Sequence, residues 1–240
     1  MSRDHATRIA IIGDVHAHHD HLHRVLRWLE DNPVDQTLCT GDLADGAGCL
    51  ATCCDLLMSA NVATVAGNHD RWLKQNRVRH VDEAHFWEEL DGATRRFFDD
   101  LPSTREVATQ DGLLLLCHGV AERDMAKVWP GSERLSAIRS DRLDALLSER
   151  RYRFIVNGHT HFRHVIDFEH TQVINAGALV GPRPGFVCLD MDAERIESYD
   201  LDEAGIRLAR TVPLIDPERP SWQTTQDFDH DWNPALLYGT

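Results

Sequence analysis

The sequence is short of several things, and each shortage narrows the field. No Cys-x-x-Cys pair occurs among Cys39, Cys49, Cys53, Cys54, Cys117 and Cys188. Most of these lie in apolar segments, where a reduced thiol behaves as a small hydrophobe, so neither a disulfide framework nor a structural zinc site is expected. No apolar run approaches the roughly 18–20 residues that a membrane span needs. The start carries no basic leader before a long apolar stretch. Arg8, Ala10, Ile11, Ile12 and Gly13 read as a first buried strand instead, and the expectation is a cytoplasmic protein with no membrane partner. Positive charge is scarce as well: 25 Lys and Arg stand against 39 Asp and Glu, a net charge of −14. A long nucleic acid is therefore not expected as a partner, because binding its backbone needs a basic face. A small phosphate ester remains open, since bound divalent cations would be the strongest local charges in such a site.

What is present fits one globular α/β domain over residues 1–240, with no internal repeat, low-complexity stretch or interdomain linker. Apolar strands alternate with amphipathic helices. Strands are expected at 8–12, 36–40, 62–65, 105–108, 113–117, 154–156, 164–168, 172–174, 186–189 and 196–199. Leu22, Val25, Leu26 and Leu29 form a helical apolar stripe, which Asn32 and Pro33 end. Leu50, Cys53, Cys54 and Leu57 form another, on a helix from Cys49 to Ser59. Residues 71–102 read as a charged helical insertion ending at Leu101 and Pro102, and Glu133–Arg151 as a second charged helical stretch. The last segment, about 216–240, reads as an irregular acidic tail. Its Trp222 and Trp232 suggest that it packs on the body.

Fifteen histidines are a high number for this length, and their positions carry the argument. Five short motifs each follow an expected strand: Asp14-Val-His16, Gly41-Asp42, Gly67-Asn68-His69-Asp70, His118-Gly119 and Gly158-His159-Thr-His161. In α/β folds, ligands gather beyond the carboxyl ends of strands. In extended backbone, residues i and i+2 point the same way, so Asp14 and His16 can grip one ion, and His159 and His161 stand in the same relation. Asp42 stands alone, with two oxygens that can bridge two metals. One such motif is commonplace; five in order, all at strand ends, point to a metal cage.

The same ordered set resembles the calcineurin-like metallophosphoesterase superfamily, over about Ile9 to Asp200. Val173 to Pro182 resembles the Asn-Pro-Gly-Ser segment of its small bacterial and archaeal phosphodiesterase branch, with Ala176 and Ala178 in place of the proline and serine. The resemblance implies a two-sheet α/β sandwich of the metallophosphoesterase type, with the site at the carboxyl ends of the strands. It implies one metal on Asp14, His16 and His161, another on Asn68, His118 and His159, and Asp42 as the bridge. It also implies that His69 faces the substrate phosphate, with Asp70 holding it by a hydrogen bond. The expected cofactors are two divalent transition ions, Mn, Fe, Zn or Ni, with Mn favoured, because mixed imidazole, carboxylate and amide ligands suit these better than Ca²⁺ or Mg²⁺.

Two cations about 3.5–4 Å apart would lower the pKa of a shared water and neutralise the phosphate as charge builds. His69 would then stabilise the transition state or protonate the leaving oxygen. The protein-phosphatase branch resembles Gly-Asp-x-Val-Asp-Arg-Gly and lacks the Gly-His-x-His pair. This chain reads Gly41-Asp-Leu-Ala-Asp-Gly46, with no arginine at 46, and keeps His159 and His161. That favours a phosphodiesterase of small or nucleotide-like esters. The alternatives are a phosphomonoesterase or serine/threonine phosphoprotein phosphatase, and, less favoured, a protein-binding scaffold, which has no need of His69. Beyond the cage, His18, His19, His21 and His23 read as solvated, and Asp45 as a loop or supporting carboxylate. Arg71, Lys74, Arg77 and Arg79 read as a solvated helix face, Arg123 as a minor candidate for substrate contact, and His164 and His170 as ordinary residues.

Overall fold

The computed structural model describes residues 5–77, 81, 83–229 and 235–238. Its strands form two mixed sheets, laid face to face. The first comprises β1 (Arg8–Ile12), β2 (Gln36–Cys39), β3 (Ala63–Thr64), β9 (Gly185–Asp190), β10 (Arg195–Asp202) and β11 (Gly205–Pro213), in the order β11-β10-β9-β1-β2-β3. The second comprises β4 (Thr104–Thr109), β5 (Gly112–Cys117), β6 (Tyr152–Asn157), β7 (Arg163–Phe168), β8 (Gln172–Ala176) and β12 (Ser221–Trp222), in the order β12-β7-β8-β6-β5-β4. Strand β13 (Ala235–Leu236) also pairs with β7. Pairs β1·β2, β2·β3, β5·β6 and β6·β8 are parallel, so their carboxyl ends share one end of each sheet.

The period of two in the strands explains the layers. Ile9 and Ile11 of β1 face Leu114 and Leu116 of β5, with Phe154, Val156 and Ile174, in the core between the sheets. Ala10 and Ile12, on the other face of β1, meet α1 (His19–Asp31) and α2 (Leu50–Ser59) through Leu22, Val25, Cys53 and Leu57. On the second sheet, Leu115, Cys117 and Ile155 point outward to α5 (Asp141–Glu149) through Leu143, Leu146 and Leu147. Both central strands are thus buried on both faces, which is why they read as unbroken apolar runs rather than alternating ones. Among the described residues no helix is long and apolar enough to cross a membrane.

The expected strands all occur, with ends shifted by up to three residues. The expected insertion is not one helix. It resolves into α3 (Asn68–Lys74), a single 3₁₀ turn at Trp87–Glu89 and α4 (Gly92–Asp100). Asp91 caps α4 by accepting from the Ala93 and Thr94 N–H groups. In the 133–151 stretch only Asp141–Glu149 is helical, starting where Ser140 Oγ accepts from Leu143 N–H. The nine-residue β11 was not expected, because its exposed face carries Arg207 and Arg210 and it has little apolar alternation. In the tail, Trp222, Phe228 and Leu237 are buried; Asp231 and Trp232 lie outside the described residues.

Candidate metal centre

Five loops, after β1, β2, β3, β5 and β6, bring the motif residues to one place between the two sheets. A main-chain tie sets the geometry. Asp14 N–H donates to Gly177 C=O at 3.1 Å and Asp14 C=O accepts from Leu179 N–H at 2.8 Å, joining the end of β1 to the loop after β8. Asp14 is fully buried, and its carboxylate accepts from Thr40 Oγ1 at 3.2 Å and from His159 N–H at 3.0 Å. His161 Nε2 lies 3.0 Å from Asp14 Oδ2 and 3.2 Å from His16 Nε2. His118 Nε2 lies 3.0 Å from Asn68 Oδ1 and 3.2 Å from Asp42 Oδ2. Asp14, His16 and His161 form one group with potential ligand atoms within 4.8 Å of one another; Asp42, His118 and His159 form a second, and His16, Asp42 and His69 link them.

The hydrogen bonds behind the rings say which nitrogen faces inward. His16 Nδ1 lies 3.1 Å from Ala44 C=O and 2.9 Å from Asp45 C=O, and His118 Nδ1 lies 2.8 Å from Thr40 C=O. A carbonyl can only accept, so in both rings Nδ1 carries a proton and Nε2 faces the centre. His159 Nε2 is buried with no hydrogen-bond partner among the described residues. His118 Nε2 and the oxygens of Asn68 and Asp42 therefore converge with that orphan nitrogen, an arrangement that fits a cation. The charges respond accordingly. Burial opposes the charged form of His118, but Asp42 and Asp14 raise it to about 10. Burial likewise opposes ionisation of Asp42, but His118, His69 and His16 hold it below the usual carboxylate range. Burial, followed by His118 and Lys127, pushes His159 down to about 4 and keeps it neutral. The imidazoles of His118 and His159, the Asp42 carboxylate and the Asn68 amide oxygen form the donor set of a divalent metal, which would displace the proton from His118.

Two glycines make the packing possible. A Cβ on Gly158 would collide with Asp14 Oδ1, and one on Gly67 with Asp42 Oδ1. Asn68 and His69 lie in the first turn of α3, not in an extended loop. Successive helical residues diverge by about 100°, so Asn68 still faces His118 while His69 points elsewhere. Backbone also departs from expectation at the paired histidines: His16, His159 and His161 take left-handed φ of 45°, 66° and 59°, so simple i,i+2 alternation does not describe them.

The partner expected for His69 is corrected. Asp70 does not hold the ring. Its Oδ1 accepts from Leu43 N–H at 2.7 Å and Ala44 N–H at 3.1 Å, and its Oδ2 from Gly67 N–H at 2.8 Å, so it fixes the loop that carries Asp42. Burial and the charge of Asp42 push its carboxyl up to about 6. Asp45 is the carboxylate on His69, with Oδ2 2.7 Å from Nδ1. Asp45 is itself held by His85, whose N–H donates to Oδ1 at 3.0 Å and whose Nδ1 accepts from Asp45 N–H at 3.0 Å. Burial opposes ionisation of Asp45, yet the His69 bond and the His85 N–H lower its pKa. Because Asp45 follows Asp42 by three residues, spacing offered a signal; His85 offered none.

The neighbouring histidines stay outside the cage. His18 and His21 stack at 3.7 Å, His21 Nδ1 lies 2.6 Å from Leu179 C=O, and His19 Nδ1 accepts from Cys49 N–H. Arg71 is committed to a two-bond pair with Asp124, and Lys74 to Asp99. Arg77 and Arg123 are exposed, and Arg79 lies outside the described residues. His164 is buried in the body and His170 is on the surface.

A model of the calcineurin-like phosphoesterase superfamily domain matches residues 7–194. Among solved structures, a metallophosphoesterase from Sphaerobacter thermophilus is 24% identical, with a TM-score of 0.59 over 82% of this chain and 89% of that one. Yfce, a phosphoesterase from E. coli, is 15% identical, with a TM-score of 0.53 over 87% and 100%. A structure described as a novel archaeal phosphodiesterase is 16% identical, with a TM-score of 0.53 over 81% and 99%. At such identities these likenesses show the two-sheet fold. No curated protein matches the chain.

Proposed function

Since the chain belongs to the calcineurin-like phosphoesterase superfamily, a family of metal-dependent phosphoester hydrolases, we propose that it is a phosphodiesterase of small or nucleotide-like esters working with two divalent ions. The observation that carries this reading is the meeting of two ligand groups beside one carboxylate, Asp42, with the buried lone pair of His159 left over. Asp14, His16 and His161 would hold one ion, Asn68, His118 and His159 the other, and Asp42 both. When bound, such ions supply Lewis acidity toward the phosphate oxygens and a nucleophilic water at neutral pH. Manganese is the first ion to supply, among Mn, Fe, Zn and Ni.

The chain's own residues do the rest. The carbonyls of Ala44, Asp45 and Thr40 lock the rings of His16 and His118, so their lone pairs need no reorganisation when charge develops. His69, backed by Asp45, stabilises the transition state or gives a proton to the leaving oxygen. The intact ligand set together with His69 argues against a scaffold role.

Two observations support a diester over a monoester. A monoester dianion places one more charge near the ions and calls for an added cation. Position 46 cannot provide it: a Cβ on Gly46 would collide with the His16 carbonyl. Arg71 is already paired with Asp124. A cytoplasmic setting is part of the same proposal, supported by six free cysteines, five of them buried. The test is turnover of an activated aryl diester against the matching monoester with Mn²⁺ supplied, after metal analysis of the purified protein. The diester should be cleaved faster. A large preference for the monoester or a phosphopeptide would replace this proposal with a phosphatase.

A further inference from the structure

The loop that carries His161 has little to hold it from within. It runs between β6 and β7 without strand pairing, and the His161 side chain is 42% exposed. His161 also takes the left-handed φ noted above, which costs a non-glycine residue about 1–3 kcal/mol unless its surroundings impose it. Packing cannot fix such a side chain. Its main chain is fixed from outside.

The Tyr238 hydroxyl accepts from Arg163 N–H at 3.0 Å and donates to His161 C=O at 3.3 Å. One oxygen thus ties the backbone on both sides of Phe162. His164 Nδ1, 2.8 Å from Phe162 C=O, holds the carbonyl between them. Tyr238 comes from the far end of the chain. Strand β13 lies antiparallel to β7, with Ala235 opposite Val165 and Leu236 opposite His164. Leu237 N–H donates to Arg163 C=O at 2.9 Å, and the Leu237 side chain is fully buried in the core between the sheets. The Tyr238 ring is gripped by two guanidinium groups, Arg163 at 4.7 Å and Arg183 at 5.2 Å from its centre. Arg163 is itself fully buried, donating to Ser198 Oγ, Tyr199 C=O and the Asp200 carboxylate of the opposite sheet. A continuous line of contacts therefore runs from Asp200 through Arg163 and Tyr238 to His161.

We propose that Tyr238 is a positioning residue for His161, so that the C-terminal strand sets the affinity of the ion held by Asp14, His16 and His161. The inference rests on the ligand assignment proposed above. Its physical basis is preorganisation: a ligand held within about 0.5 Å of its bound place binds without ordering cost. Hydrogen-bonded groups behind metal ligands commonly change metal affinity by about 10–100-fold. The Tyr238 bond is long, exposed and made to the main chain rather than the ring, so the low end applies.

The experiment titrates metal-free full-length protein with Co²⁺, following visible absorption, for wild type, Tyr238→Phe and His161→Ala. Phenylalanine keeps the ring between its two arginines and removes only the hydroxyl. The expected result is two Co²⁺ in the wild type, with Tyr238→Phe weakening one of them about tenfold. The other ion should bind as in the wild type, and His161→Ala should lose the same ion. If His161→Ala loses an ion while Tyr238→Phe binds both like wild type, the inference fails and the ligand assignment stands. If Tyr238→Phe weakens both ions equally and unfolds earlier, Tyr238 is merely structural and the inference fails. If His161→Ala keeps both ions, the ligand assignment fails and takes the inference with it.

Discussion

Changing Asp45 and Asp70 separately to asparagine should give opposite phenotypes, although both carboxylates lie close to His69 in sequence or space. Asp45 uses both oxygens: Oδ2 meets His69 Nδ1 at 2.7 Å, and Oδ1 accepts from His85 N–H at 3.0 Å. An asparagine there has one oxygen, and the His85 N–H demands it. Its NH₂ group must then turn toward His69. A donor facing Nδ1 makes that nitrogen an acceptor and moves the ring proton to Nε2. His69 also loses the carboxylate that orients its ring, as happens when the aspartate of a hydrolytic triad becomes asparagine. General acid–base assistance is worth about 10²–10⁴-fold, roughly 3–5 kcal/mol of barrier. His69→Ala should lose all of that, and Asp45→Asn at least about tenfold of it, with metal content intact in both. The loss should shrink for diesters with good leaving groups, which need no proton.

Asp70→Asn should instead damage the scaffold. Three buried N–H groups, of Leu43, Ala44 and Gly67, converge on its two oxygens. An amide satisfies one side only, so at least one donor is left facing NH₂, at about 1–3 kcal/mol. For a chain of this size each kcal/mol lowers the unfolding midpoint by about 2–4 °C. The loop that moves carries Asp42, so metal content should fall too. The assays are kcat on a good and a poor leaving-group diester, calorimetry and metal analysis on the same samples. The reasoning is refuted if Asp45→Asn keeps full kcat on the poor leaving group. It is equally refuted if Asp70→Asn lowers kcat while its midpoint and metals stay put.

Asp42→Asn should bind less metal than the wild type and lose on the order of 10²–10³-fold in kcat, the scale of removing one preorganised electrostatic partner; full two-metal occupancy by elemental analysis would show that Asp42 is no bridge. Gly158→Ala removes no ligand, yet its Cβ meets Asp14 Oδ1 and Thr40 Oγ1, so it should cost about 1–3 kcal/mol of stability and release metal, both readable by calorimetry and metal analysis. Burial lowers His164 to about 4, below its value in the unfolded chain, so the unfolded state takes up the proton first. The His164 contribution to the stability of metal-free protein should therefore fall by about 3 kcal/mol as pH drops from about 6.5 to 4, and the difference in denaturant-unfolding stability between wild type and His164→Gln should change by about that amount across the window.

How much of this was legible depends on how far a signal reaches along the chain. The stripes of α1 and α2 follow from local periodicity, and burial agrees: Leu22, Val25, Leu29, Cys53, Cys54 and Leu57 are all buried. The five motifs could be read because each is a compact string behind an apolar run. The insertion at 71–102 was misjudged because its charge suits a helix face, yet among its described residues only α3 and α4 are α-helical, and Trp87 and Leu90 pack on the core from the 3₁₀ turn and its end. Strand β11 was missed because an edge strand with a solvated face need not alternate. Asp70 was given the work of Asp45 because adjacency in sequence stood in for adjacency in space. In the first turn of a helix, Asp70 turns back to the backbone before it, as capping carboxylates do. Tyr238, 77 residues from His161, left no local trace.

The site also explains why its motifs carry meaning as a set. His16, Asp42, Asp45, His159 and His161 all take left-handed φ without being glycine, between 45° and 66°. Each such residue costs about 1–3 kcal/mol and relaxes unless its neighbours hold it. Here the motifs hold one another. His16 N–H donates to Asp42 C=O at 2.8 Å, His69 N–H to Asp42 Oδ1 at 2.8 Å, and His159 N–H to Asp14 Oδ2 at 3.0 Å. Gly158 N–H donates to His118 C=O at 2.9 Å, and Asp70 grips the loop of Asp42. A lone Asp-x-His or His-x-His in another chain has no such partners and would settle into ordinary backbone. Strain in one loop is thus balanced by hydrogen bonds from the next, so substituting a residue in one motif should disturb ligands in another. The order of the five motifs is informative for the same physical reason: together they close a ring of mutual support that none of them forms alone.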